Sequence, residues 1–105
     1  MMSRMRLYIT FDQTWISQLD SPSSQLRAAL DVGLESFDEY CMSYEQYDDV
    51  VIIEVISERD VEAMVYIIAE SFSEHFPSLD DSNFDIEIDL NVPLEVIDWD
   101  QYLNY

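Results

Sequence analysis

Tyr40-Cys41-Met42-Ser43-Tyr44-Glu45-Gln46-Tyr47-Asp48-Asp49-Val50-Val51-Ile52-Ile53-Glu54-Val55-Ile56 is the stretch on which the fold turns. Its second half, Val50 to Ile56, is rich in β-branched residues and reads as a buried strand. Its first half, Tyr40 to Tyr47, can serve as a partner strand, with Asp48-Asp49 as the turn between them. With that hairpin the element order is β-α-β-β-α-β. Without it the order is β-α-β-α-β.

The flanking segments are easier to read. Leu7, Ile9 and Phe11 alternate with Tyr8 and Thr10, a period of two that marks a strand. A short helical turn is expected between Asp12 and Leu19. Ser21-Pro22 then supplies an N-cap followed by proline at the first helical position. Leu26, Ala29, Leu30, Leu34 and Phe37 recur at helical spacing, which predicts a helix over about 22–38, with Gly33 inside it. After the 40–56 stretch, Ser57 reads as the cap of a second helix, with Asp60 as a variant capping-box partner. Val61, Met64, Val65, Ile68 and Phe72 form that helix's apolar stripe, and Pro77 ends it. Phe84, Ile86, Ile88 and Leu90 then alternate with Asp85, Glu87 and Asp89, the clearest strand in the sequence.

These elements predict one α+β domain over residues 1–105. Its core spans residues 5–90, and the apolar C-terminal segment 91–105 packs on the sheet or on a partner. The β-α-β-β-α-β order resembles the ferredoxin-like split-βαβ sandwich, two helices on one face of a small antiparallel sheet. That resemblance rests on element order and implies nothing about function.

Charge sets the limits on function. The chain has 105 residues, 23 acidic and 4 basic groups, and a formal net charge of −19. Direct nucleic-acid binding needs clustered cations, so it is excluded, and an anionic membrane would repel the chain. No apolar run reaches the length of a membrane span, and Arg4 and Arg6 interrupt the N-terminus as a secretory signal. The lone Cys41 permits no disulfide within the chain and fits a reducing compartment, so the expected location is the cytoplasm. The 49% of hydrophobic residues separates the chain from acidic disordered tails. All four cations are arginine and lysine is absent. A halophilic surface would also be acidic and lysine-poor, but ten Ile, seven Tyr, five Phe and one Gly describe an ordinary bulky core.

Enzyme chemistry finds no foothold. One glycine cannot build a phosphate loop. His75 and Cys41 fall on separate elements: Cys41 reads as a small buried hydrophobe, and His75 as a residue favoured by the end of its helix dipole. Asp80-Asp81-Ser82-Asn83-Phe84-Asp85 gathers oxygen ligands but lacks the glycine and terminal glutamate of a calcium loop. The expectation is a non-enzyme with no cofactor and no dedicated metal.

The placement of the acids is more informative than their number. Glu58, Glu62, Glu70 and Glu74 fall at four-residue steps, with Tyr66 completing the row. On a helix such steps rise about 6 Å. Asp31, Glu35 and Glu39 repeat the pattern on the first helix, and Asp85, Glu87 and Asp89 share one face of the last strand. Like charges at i,i+4 destabilise a helix by roughly 0.2–0.5 kcal/mol per pair. Four such pairs are expected (Asp31/Glu35, Glu35/Glu39, Glu58/Glu62 and Glu70/Glu74), and no lysine relieves any of them. A solubility-giving surface needs a net charge of only about 2–8 in magnitude for a small domain.

Rows of carboxylates at these intervals can occupy a groove built for a nucleic-acid backbone. In charge and size the chain resembles the acidic DNA-mimic inhibitors, the small phage-type anti-restriction and anti-CRISPR proteins. The resemblance is compositional and carries over no residue pattern. It implies a basic nucleic-acid-binding protein as partner, a nuclease or effector complex, engaged by a monomer or homodimer. Trp99 and Tyr102, flanked by Asp98 and Asp100, are the expected aromatic anchors. Two other readings share part of this logic: an immunity or antitoxin protein that blocks one toxic nuclease, and an acidic adaptor or scaffold.

Overall fold

The computed structural model describes residues 2–89 and the backbone of residues 95–97. The decisive hairpin is present. Strand β1 (Met2–Phe11) is followed by a single helical turn α1 (Gln13–Ile16) and helix α2 (Pro22–Glu35). The hairpin β2 (Cys41–Tyr47) and β3 (Val50–Ser57) comes next, then helix α3 (Val61–His75), β4 (Phe84–Ile88) and β5 (Glu95–Ile97). Tyr47 pairs with Val50, so the turn is Asp48-Asp49, and Asp48 takes a positive φ of 58° that aspartate tolerates better than most residues.

The sheet order is β2-β3-β1-β4, every neighbour antiparallel, and β5 pairs with Met2–Arg4 beyond the end of β4. Met5, Leu7, Ile9 and Phe11 of β1 share one face with Val51, Ile53 and Val55 of β3, and all are buried. Leu26, Ala29, Leu30 and Leu34 of α2 and Met64, Ile67, Ile68 and Phe72 of α3 complete the same core. Both helices therefore cover one face of the sheet. Trp15 joins the core, stacked on Phe11 at 5.6 Å with its indole N–H donating to Ser78 at 3.1 Å.

The single glycine is explained by the contact between the helices. A Cβ on Gly33 would lie 2.0 Å from Ser71 Oγ and 2.7 Å from Ser71 Cα, so only glycine lets α2 and α3 approach this closely. Ser71 is itself buried and donates to the Ile67 carbonyl at 2.7 Å.

Two helix boundaries differ from the sequence reading. Helix α2 ends at Glu35 instead of running to residue 38. Asp38 adopts a φ of 59°, its N–H bonds the Glu35 carbonyl, and the Glu39 N–H reaches back to Leu34 at 2.9 Å. This is the hydrogen-bond pattern of a Schellman turn, with aspartate where glycine is usual. At α3 the cap is Asp60, whose carboxylate accepts from Ala63 N–H at 2.8 Å. Ser57 is instead the last residue of β3, paired with Ser3, and its hydroxyl is used inside the fold.

Candidate functional site

The structure separates the expected rows into three surfaces and removes three residues from them. Glu39 was expected on the exposed face of α2 and is buried, because the Schellman turn swings it inward. Its carboxylate accepts from Ser57 Oγ at 2.6 Å and from Arg59 Nε at 2.9 Å. Asp89 was expected beside Asp85 and Glu87 but lies past the end of β4 and is 4% exposed. It faces Arg6 at 3.8 Å and holds the Tyr8 hydroxyl, whose pKa is raised chiefly by that hydrogen bond. Glu58 precedes α3, in the loop before its cap, so it does not extend the helical row. Only Asp31/Glu35 and Glu70/Glu74 survive as like-charged i,i+4 pairs within helices, and Asp31 also has Arg27 one turn before it at 3.7 Å. The cost of the rows is correspondingly about half that expected from sequence.

The row that remains clear runs along α3. Glu62 and Glu74 are exposed, Glu70 is half-buried, and Tyr66 between them is 61% exposed. Successive members rise about 6 Å and turn about 40° around the axis, so the row winds slowly across the solvent side of the helix. It has no cation within ion-pair distance among the described residues. This crest places an aromatic ring between carboxylates, the combination sought at the C-terminus. Asp98, Trp99, Asp100 and Tyr102 lie outside the described residues.

Asp31 and Glu35 occupy a different surface. Arg27, on the same flank of α2, holds its guanidinium over the Tyr44 ring of β2 at 5.4 Å. That contact turns this flank toward β2 and away from α3. Burial raises the Tyr44 hydroxyl to about 12 and the Cys41 thiol to about 11, which leaves Cys41 an inert thiol at neutral pH. Its thiol donates to the Ser43 carbonyl at 2.9 Å.

Asp85 and Glu87 sit on the far side of the sheet. Their neighbours in register are Thr10 and Tyr8, whereas Phe84, Ile86 and Ile88 pair with the buried Phe11, Ile9 and Leu7. The sheet face away from the helices also carries an ion network. Glu54 of β3 accepts from Arg4 at 2.9 Å and from Arg6 at 2.6 and 3.0 Å. These hydrogen bonds, Arg6's first, hold the Glu54 carboxyl below the ordinary range. The register that pairs Arg6 with Glu54 creates the network, and no local sequence spacing announces it.

Sequence reasoning also passed over the hydrophobic residues around β2. Tyr40 is 69% exposed, Tyr47 61% and Met42 55%. Their signal was present in the aromatic spacing of the 40–47 segment, but solvent exposure depended on β2 being an outer strand.

Among the described residues, no group of three or more His, Cys, Asp or Glu side chains is placed to hold a metal ion. None of the described helices is long and apolar enough to cross a membrane. No protein-family model matches the chain, and no curated protein matches it. One solved structure is similar, a conserved protein of unknown function and possible oxidoreductase from Bacteroides thetaiotaomicron VPI-5482. It shares 12% identity and a TM-score of 0.44 over 84% of this chain and 93% of its own. A likeness at that level carries no argument about this chain's chemistry.

Proposed function

We propose that the protein is a non-catalytic, cytoplasmic inhibitor that occupies the basic nucleic-acid-binding groove of a host-defence nuclease or CRISPR-type effector. Its scaffold is read as a ferredoxin-like sandwich, a reading supported by the β2-β3-β1-β4 antiparallel order with both helices on one face. The observation that carries the functional reading is the α3 crest: Glu62, Glu70 and Glu74 around exposed Tyr66, with every arginine of the chain committed elsewhere. Long-range attraction brings the crest to a positive cleft, and Tyr66 supplies the apolar contact that charge alone lacks. Asp85 and Glu87, on the opposite side of the sheet, contribute to the attracting field rather than to the same contact.

The test is direct. The chain is expressed in bacterial strains carrying restriction or CRISPR systems, and phage plating is scored. Purified effector bound to labelled duplex DNA is then titrated with the protein. Plating should recover, and DNA should be displaced with an apparent affinity that falls at least about tenfold between low and physiological salt. A Glu62→Gln/Glu70→Gln/Glu74→Gln variant should lose both effects while remaining folded. Unchanged displacement by that variant would remove the crest from the mechanism, and no recovery or displacement across the panel would sink the inhibitor reading.

A further inference from the structure

We propose that the outer edge of β2 is a second docking site, which takes up an extended, basic segment of a partner protein as an added strand. Among the described residues β2 pairs with β3 alone, so one side of its backbone has no sheet partner. Such edges are normally blunted by charged side chains, above all lysine, by proline, by bulges or by short length. Here the strand has seven residues and neither lysine nor proline. A register shift between Cys41 and Ser43 disturbs its first turn of pairing and leaves Ser43 to Tyr47 regular. Among the described residues, three of the five large exposed hydrophobic side chains lie in or beside this one strand: Tyr40, Met42 and Tyr47.

The surroundings of the edge specify the occupant. A strand laid beside β2 alternates its side chains between two environments. On the helix side they lie under the flank of α2 that carries Asp31 and Glu35, where Arg27 is already held by Asp31 and the Tyr44 ring. On the open side they meet Glu45 and the exposed Tyr47. The complementary segment therefore bears cations at alternate positions and apolar side chains between them. A second copy of this chain fits poorly, since two chains of net charge −19 would be brought edge to edge. The site is distinct from the α3 crest and stands without the inhibitor reading.

The probe is a blocked heptapeptide of alternating Lys and Val, titrated into the full chain and followed by fluorescence anisotropy and amide hydrogen exchange. Binding should slow exchange at least about tenfold at those amides of residues 43–47 that point away from β3, since added-strand hydrogen bonds are what the edge offers. A peptide N-methylated at every residue keeps the charge but can donate from neither edge, and should bind at least about tenfold more weakly. Asp31→Asn/Glu35→Gln should weaken binding about threefold or more, because it removes charge and leaves the edge intact. The α3 variant Glu62→Gln/Glu70→Gln/Glu74→Gln should bind the peptide as the parent does, so failure of one site is separable from failure of the other. Equal binding of the N-methylated peptide, or protection centred on α3, would reduce the effect to polycation attraction and overturn the proposal. Protection of the outward-pointing amides of residues 43–47 before peptide is added, from the chain itself or from a second copy, would overturn it as well.

Discussion

On the open face of the sheet, Glu54 binds two arginines and Asp89 faces a third contact from Arg6. On the crest of α3, Glu62, Glu70 and Glu74 meet no cation among the described residues. The residue types are the same, and their circumstances differ because different rules choose their neighbours. In the sheet, register brings residues 48 and 50 positions apart into contact, so two arginines near the N-terminus are spent on one glutamate of β3. In the helix only the i±3 and i±4 positions are available, and within α3 none of them holds lysine or arginine. Arg27 and Arg59 are likewise committed, to Asp31 and to the buried Glu39. Each of the four arginines binds a carboxylate of the fold, and among the described residues the outward charge of α3 is left uncompensated.

The position of the α3 crest beside α2 depends on the close Gly33–Ser71 contact between the two helices. Gly33→Ala tests the support and has the largest expected effect. A Cβ would meet both the side chain and the Cα of Ser71, so rotamer change alone cannot relieve it. Overpacking of this kind costs about 3 kcal/mol. Urea denaturation should show the loss as a lowered midpoint with little change in slope. A near-neutral result would mean that the helices separate freely and that the crest has no fixed position.

The open face is broken next. Glu54→Gln removes the charge that Arg4 and Arg6 share and should destabilise the fold by about 1–2 kcal/mol, the value for charge-assisted hydrogen bonds reduced because both arginines are partly exposed. Its pH signature has a definite sign. The folded pKa of Glu54 lies below its ordinary value, so its contribution is complete above the unfolded pKa of about 4.3 and is lost as pH falls through the folded value. Stability of the parent should therefore fall more steeply below about pH 4 than that of Glu54→Gln. Parallel curves measured by denaturant melts at stepped pH would show that the network adds nothing to stability.

How much of this was legible beforehand follows from the same distinction between local and distant rules. The period-two strand around Leu7, Ile9 and Phe11, the two apolar helix stripes and the Asp48-Asp49 turn are local patterns, and the structure keeps each of them. Asp31/Glu35 and the Glu62, Glu70, Glu74 row are local as well, and they too are present. Glu39 and Asp89 were misplaced because their burial is decided by distant partners, Ser57 and Arg59 in one case and Arg6 in the other. Glu58 was misplaced by a boundary: both Ser57 and Asp60 have the chemistry of a cap, and only the extent of β3 decides between them. The exposed side of β2 required knowing the strand order.

Glu74→Lys gives the smallest effect on stability and the sharpest separation of the two regions. It removes the Glu70/Glu74 repulsion, replaces it with an attractive Glu-to-Lys pair in the favourable order, and places a cation in the last turn of α3. Together these should stabilise the fold by about 0.5–1 kcal/mol. The same change reverses a charge on the crest, so displacement of duplex DNA from an effector should weaken by about tenfold or more. Stability and binding then move in opposite directions from one substitution, which a solubility-giving surface would not produce. Thermal melting and DNA-displacement titrations on the same sample read both quantities. A stabilised variant with unaltered displacement would show that the row on α3 is a solvated surface without a partner, whatever the rest of the molecule binds.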